Sequence, residues 1–129
     1  MITVEVENRS GLEVGEDEAA ALARRVLGDE GVGDGELGIA FVGTDEMRAL
    51  KREHLGLDEE TDVLSFPLDG RDELPEGMPR ALGDVVLCPA VVGDAWRAPL
   101  VHGLLHLLGY DHGHEMEARE QEHAARAAS

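Results

Sequence analysis

A chain of 129 residues has the length of one domain, enough for a single core that buries most of its apolar surface. With 11 Lys plus Arg against 28 Asp plus Glu the formal net charge is −17, which repels phosphate backbones and anionic membranes and argues against a free-standing nucleic-acid binder. The four aromatic residues (Phe41, Phe66, Trp96, Tyr110) are too few for a base-stacking platform, and a single cysteine, Cys88, excludes an internal disulfide and a thiolate-rich zinc ribbon.

In chain order, residues 2–6 alternate as a half-buried strand, and Glu16 to Leu27 sets Ala19, Ala20, Leu22, Ala23, Val26 and Leu27 on one helical face. Glu36 to Val42 predicts a second strand, followed by a helix over Asp45 to His54 with Thr44 as its N-cap. Asp62 to Phe66, stopped by Pro67, predicts a third strand; Pro75, Gly77 and Pro79 mark a loop before a fourth at Asp84 to Leu87. Pro99 suits the first turn of a helix that runs to Leu108, with Gly109 as a left-handed C-terminal cap. A final helix spans about His114 to Ala127. Four strands interleaved with four helices predict one layered α/β or α+β domain over residues 1–129. The alternating start and the lack of an 18-residue apolar run predict no secretion signal or membrane span, and the lone cysteine fits a reducing, cytoplasmic setting. Asp58 to Glu60 reads as a solvated turn, Thr61 and Ser65 as turn and strand residues, and Cys88 as a buried small side chain.

Four of the six histidines fall in the segment VHGLLHLLGYDHGH. His102 and His106, four apart on a helix, stand about 40° apart around its axis and ~6 Å along it, so both imidazoles can hold one ion. Gly109 lets the chain leave the helix, and a tight turn brings His112 toward the same point. Three neutral imidazoles with an open fourth position is the donor set of a catalytic zinc site, where a bound water ionises near neutral pH. One such histidine alone would be read as a core residue bonded to a carbonyl; three at this spacing would each need a separate buried polar partner. His114 and His123, in a polar helix beyond the turn, are expected at the surface. Asp84 could orient a ligand imidazole or stand near the bound water, and Asp111 could cap the turn.

The spacing is also that of the metzincin proteases, but Gly103 stands where those enzymes carry a glutamate base, so peptide hydrolysis by that mechanism is not expected. The segment HGLLHLLGYDH from His102 to His112, with TDVLSFP (Thr61 to Pro67) and LGDVVLC (Leu82 to Cys88), resembles the YbeY family of bacterial ribosomal-RNA maturation factors. The resemblance implies a zincin-like αβα fold with a small mixed sheet and a histidine-bearing helix, and one zinc on His102, His106 and His112. It also implies single-strand-specific endoribonuclease action in small-subunit rRNA 3′-end maturation and ribosome quality control. Small-subunit ribosomal proteins and a GTPase assembly factor are the partners it implies, with no role for DNA or membrane. Two features depart from that family. Leu55 stands where its arginine linked to activity falls, leaving Lys51 or Arg52, a helical turn earlier, as substitutes; and only residues 89–101 separate LGDVVLC from His102. The Leu55 departure and the net charge favour the rival expectation, a ribosome assembly factor with a zinc site and weak or no catalysis.

Overall fold

The computed structural model describes residues 2–55, 63–69, 74–75, 77–93, 95–110 and 114–128. Among these residues the order is β1 (Ile2–Asn8), α1 (Glu16–Asp29), β2 (Gly35–Phe41), α2 (Thr44–Leu55), β3 (Val63–Pro67), β4 (Ala81–Leu87), α3 (Pro89–Val92), α4 (Arg97–Leu107) and α5 (His114–Ala128). The strands form one mixed sheet in the order β1-β2-β4-β3, in which β1, β2 and β4 run parallel and β3 pairs antiparallel to β4. The architecture is α+β, with a four-stranded sheet and five helices.

The pleat assigns each strand residue a face. Ile2, Val4 and Val6 of β1, Leu37, Ile39 and Phe41 of β2, and Val85 and Leu87 of β4 join Ala19, Ala23, Val26 and Leu27 of α1 and the leucines of α4 in the larger core cluster. The alternate residues Ala40, Leu64, Phe66 and Val86 meet Met47 and Leu50 of α2, with Val42 and Cys88, in a second cluster. Helices α1 and α4 therefore cover one face of the sheet and α2 the other. Cys88 is fully buried in the second cluster as a free thiol, away from the histidine-bearing helix.

Several element limits differ from the sequence expectation. Strand β4 starts at Ala81 rather than Asp84, because Leu82 and Gly83 together oppose Leu37: a bulge absorbs the extra residue and turns Leu82 into the core. The short stretch after β4 contains α3, a single turn begun by Pro89, so the helices among the described residues number five and not four. Helix α4 begins at Arg97, which leaves Pro99 within its first turn, where a missing amide forfeits no intrahelical bond. Helix α2 begins at Thr44 itself, and Gly43 supplies the carbonyl that accepts from Met47 N–H.

Candidate functional site

Helix α4 carries the two histidines that open the motif, and three local features fix its position. Its sheet-facing side is apolar, with Leu100, Leu104 and Leu105 fully buried. At Gly103 the backbone comes close to the sheet: a Cβ there would lie 2.8 Å from Val85 Cγ1 and 3.1 Å from both Ser65 Oγ and Val63 Cγ2. Ser65 Oγ donates to the Gly103 carbonyl at 3.1 Å, so the residue read as a plain strand serine ties β3 to α4 beside the histidines. The helix then ends in a Schellman motif: Gly109 at φ 95° donates to His106 O, and Tyr110 N–H donates to Leu105 O.

That ending positions one acceptor. His106 Nδ1 lies 3.0 Å from the Tyr110 carbonyl oxygen, and His102 Nδ1 lies 3.0 Å from Glu120 Oε1 on α5. A carbonyl oxygen and a carboxylate oxygen accept, so Nδ1 is the donor in each pair, and a ring in its neutral form then has its lone pair on Nε2. The two Nε2 atoms face one another at 3.1 Å, with the rings near perpendicular at 83° and their centroids 4.6 Å apart. Two lone pairs at that separation repel unless they share an electrophile, either a proton or a metal ion. Zinc–nitrogen bonds of about 2.0–2.1 Å in a tetrahedron put neighbouring donors about 3.3 Å apart, so the pair suits a shared ion with little adjustment. Both rings are part-exposed, so an ion held between them would keep its remaining positions open to solvent or substrate.

The other sequence candidates fall elsewhere. His112, the expected third ligand, and Asp111 lie outside the described residues, as do Asp58 to Glu60 and Thr61; among the described residues no group of three metal-binding side chains assembles. Asp84 lies on the other face of the sheet: its strand neighbours Gly83 and Val85 face α4, while its carboxylate sits over Gly38 among Glu5, Glu36 and Leu68. It does not reach the histidine pair. Arg52 is exposed on α2, the helix that Met47 and Leu50 pack against that same far face. Leu55 ends α2.

His123 corrects the expectation of a surface residue: it is 1% exposed. Its Nε2 lies 2.9 Å from Glu30 Oε2, at the end of α1. Tyr110 Oη donates to Glu30 Oε1 at 2.7 Å, and Arg119 donates to Glu30 Oε2 through Nε at 2.8 Å and through a second guanidinium nitrogen. Burial alone would push the Glu30 carboxyl up, but donation from Tyr110, Arg119 and His123 outweighs it and holds the group at about 2, well below its ordinary 4.5. Nothing near either residue in sequence marks this pairing across 93 positions, because it depends on how α5 docks. The one legible sign is Met116, seven residues before His123 and buried on the same helical stripe.

The architecture is α+β with paired histidines on a helix beside the sheet, and comparison with known proteins names the family. The sequence model of the family Endoribonuclease YbeY matches residues 4–128. The chain is 39% identical to the Endoribonuclease YbeY of Mycobacterium ulcerans, over 92% of this chain and 76% of that protein. It is 37% identical to that of Salinispora tropica, over 92% of this chain and 88% of the relative. The solution structure of TM1509 from Thermotoga maritima superposes with a TM-score of 0.56 at 25% identity, covering 95% of this chain and 86% of that one. The chain belongs to the YbeY family.

Proposed function

We propose that this chain is a zinc-dependent, single-strand-specific endoribonuclease acting in small-subunit ribosomal RNA 3′-end maturation and ribosome quality control. The observation that carries the reading is the histidine pair: both Nδ1 protons are committed to acceptors, and both Nε2 lone pairs converge at 3.1 Å in a chain of the endoribonuclease family. In this reading α4 is the ligand helix of a zincin-like site, His102 and His106 hold the metal through Nε2, and His112 supplies the third nitrogen. When bound, zinc would polarise a phosphoryl oxygen and lower the pKa of a coordinated water toward neutrality. The protein's own part is orientation. The Tyr110 carbonyl and Glu120 accept from the two Nδ1–H groups, which in the neutral rings places the lone pairs on Nε2, and the close contact at Gly103 holds the helix on the sheet. The −17 charge supports delivery of RNA by basic partners, for which small-subunit ribosomal proteins and a GTPase assembly factor are the proposed candidates, in a cytoplasmic setting. Among the described residues no helix is long and apolar enough to cross a membrane.

The test is single-turnover cleavage of one unstructured RNA by protein loaded with a single equivalent of zinc. Cleavage that disappears on chelation and in the His102→Ala and His106→Ala variants is the expected result. Slow turnover that rises in Leu55→Arg at unchanged zinc content would identify the missing guanidinium as the rate deficit, since an aligned arginine stabilises charge spread over phosphoryl oxygens. The same charge and the leucine at position 55 favour a second reading, an assembly factor whose zinc site is catalytically weak or silent. Zinc-loaded protein that leaves RNA intact in every variant, while cells lacking it accumulate unprocessed small-subunit RNA ends, would establish that alternative.

A further inference from the structure

We infer that Glu120 is a positioning residue of this site: its carboxylate fixes the tautomer of His102 and raises the affinity of that imidazole for the metal. The inference rests on the metal reading above and adds to it a residue on α5, 18 positions downstream of the ligand.

The two histidines are seated by different chemistry. His106 donates to a main-chain carbonyl, a neutral acceptor that no substitution removes while the Schellman turn persists. His102 donates to a side-chain carboxylate, so its seating is written in the sequence and carries a full negative charge. A carboxylate behind an imidazole stabilises positive charge on the ring and makes the opposite nitrogen a stronger donor to a cation. Glu120 is thereby the group that sets how tightly His102 holds an ion.

Its place is fixed by its helix. Met116, one turn before it, is 1% exposed in the core, and His123, almost one turn after it, is equally buried on Glu30. Positions 116, 120 and 123 form one inward stripe of α5, so Glu120 lies over α4 because its neighbours on both sides are anchored. The pair itself adds little to the fold: both side chains are about a third exposed, at 27% and 34%, and a hydrogen bond there is worth little net stability. Its consequence falls on the state with a cation at Nε2.

The experiment compares Glu120→Gln, Glu120→Ala and, as a charge control, Glu117→Gln on the exposed side of the same helix. Zinc affinity is read by competition with a chromophoric chelator, and the His102 tautomer by long-range 15N–1H spectra of the metal-free protein. Affinity is expected to fall about 10-fold in Glu120→Gln, which keeps an accepting oxygen but not the charge, and up to about 100-fold in Glu120→Ala. Glu117→Gln should stay at the wild-type value, and metal-free melting temperatures should match throughout. In the wild type His102 should carry its proton on Nδ1, and Glu120→Ala should lose that preference. Wild-type affinity in Glu120→Ala, or an equal loss in Glu117→Gln, would overturn the inference. If the wild type itself binds no zinc, the metal reading fails, and the tautomer spectra alone decide whether Glu120 governs His102.

Discussion

Two clusters in this protein use histidine against a carboxylate, and they differ in which nitrogen meets it. At His123 the atom facing the carboxylate is Nε2, on a ring that is completely buried, and the acid it meets has three donors around it. At His102 the carboxylate is on Nδ1, the ring is part-exposed, and Nε2 is turned toward a second imidazole. The first arrangement commits Nε2 to Glu30, leaves Nδ1 buried without a hydrogen bond at 3.9 Å from Asp29 Oδ2, and holds α5 to α1. The second leaves lone pairs pointing at a shared position, and so makes a site. The two histidines differ in where the nitrogen away from the carboxylate points: into the packed interior at His123, toward a second imidazole at His102.

The largest expected effect comes from abolishing that position. His102→Ala or His106→Ala should lower zinc affinity by more than about 100-fold, beyond what loss of a supporting hydrogen bond achieves, as measured by chelator competition. His123→Ala should chiefly reduce stability, and any loss of zinc affinity, arising only through the seating of Glu120, should stay below about 10-fold. Next is Glu30→Ala, which leaves buried His123 without its carboxylate while Arg119 keeps Glu122; breaking a buried pair of this kind costs about 3–5 kcal/mol, read from denaturant midpoints. A related prediction concerns acid. The folded-state value of about 2 lies below the ordinary 4.5, so Glu30 stabilises the fold above pH 4.5, and this is lost as pH falls through the interval down to about 2. The difference amounts to about 3 kcal/mol, and Glu30→Gln should flatten the stability profile across that window. Smaller again is Gly103→Ala, whose methyl group must displace Val85, Val63 or Ser65; a loss of about 1–3 kcal/mol is expected from overpacking. The smallest effect belongs to Asp84→Asn. On the far face of the sheet, it should change zinc affinity by less than about 2-fold, because only a distant, screened charge is removed.

Much of this arrangement is legible in the sequence because it is local. Alternation marks β1 and β2, the leucines of α4 mark a buried helix, and an i, i+4 pair of histidines lies on one side of that helix by geometry alone. Gly109 marks its end for the same reason. What sequence reasoning missed depends on docking between distant segments: Glu120 meeting His102, the Tyr110 carbonyl reached only after a particular turn, and His123 meeting Glu30. A helix such as α5, charged along most of its length, has the composition of a surface helix, and among its described side chains Met116 is the one buried apolar residue on its inward stripe. The assignment of Asp84 to a face needed the pairing register, which a bulge at Leu82 makes unreadable from alternation.

The contact at Gly103 also bears on what this scaffold could become. A peptidase of the metzincin type needs a carboxylate at that position, and a single codon change would introduce one. The resulting side chain would meet Val85, Val63 and Ser65 on two neighbouring strands, so the helix would have to lift from the sheet or those residues would have to shrink together. Lifting the helix moves His102 and His106 with it and forfeits the Ser65 bond at the same stroke. A carboxylate at position 103 therefore either displaces the histidine pair or requires several strand residues to change at once, so no single substitution adds it at no cost to the packing.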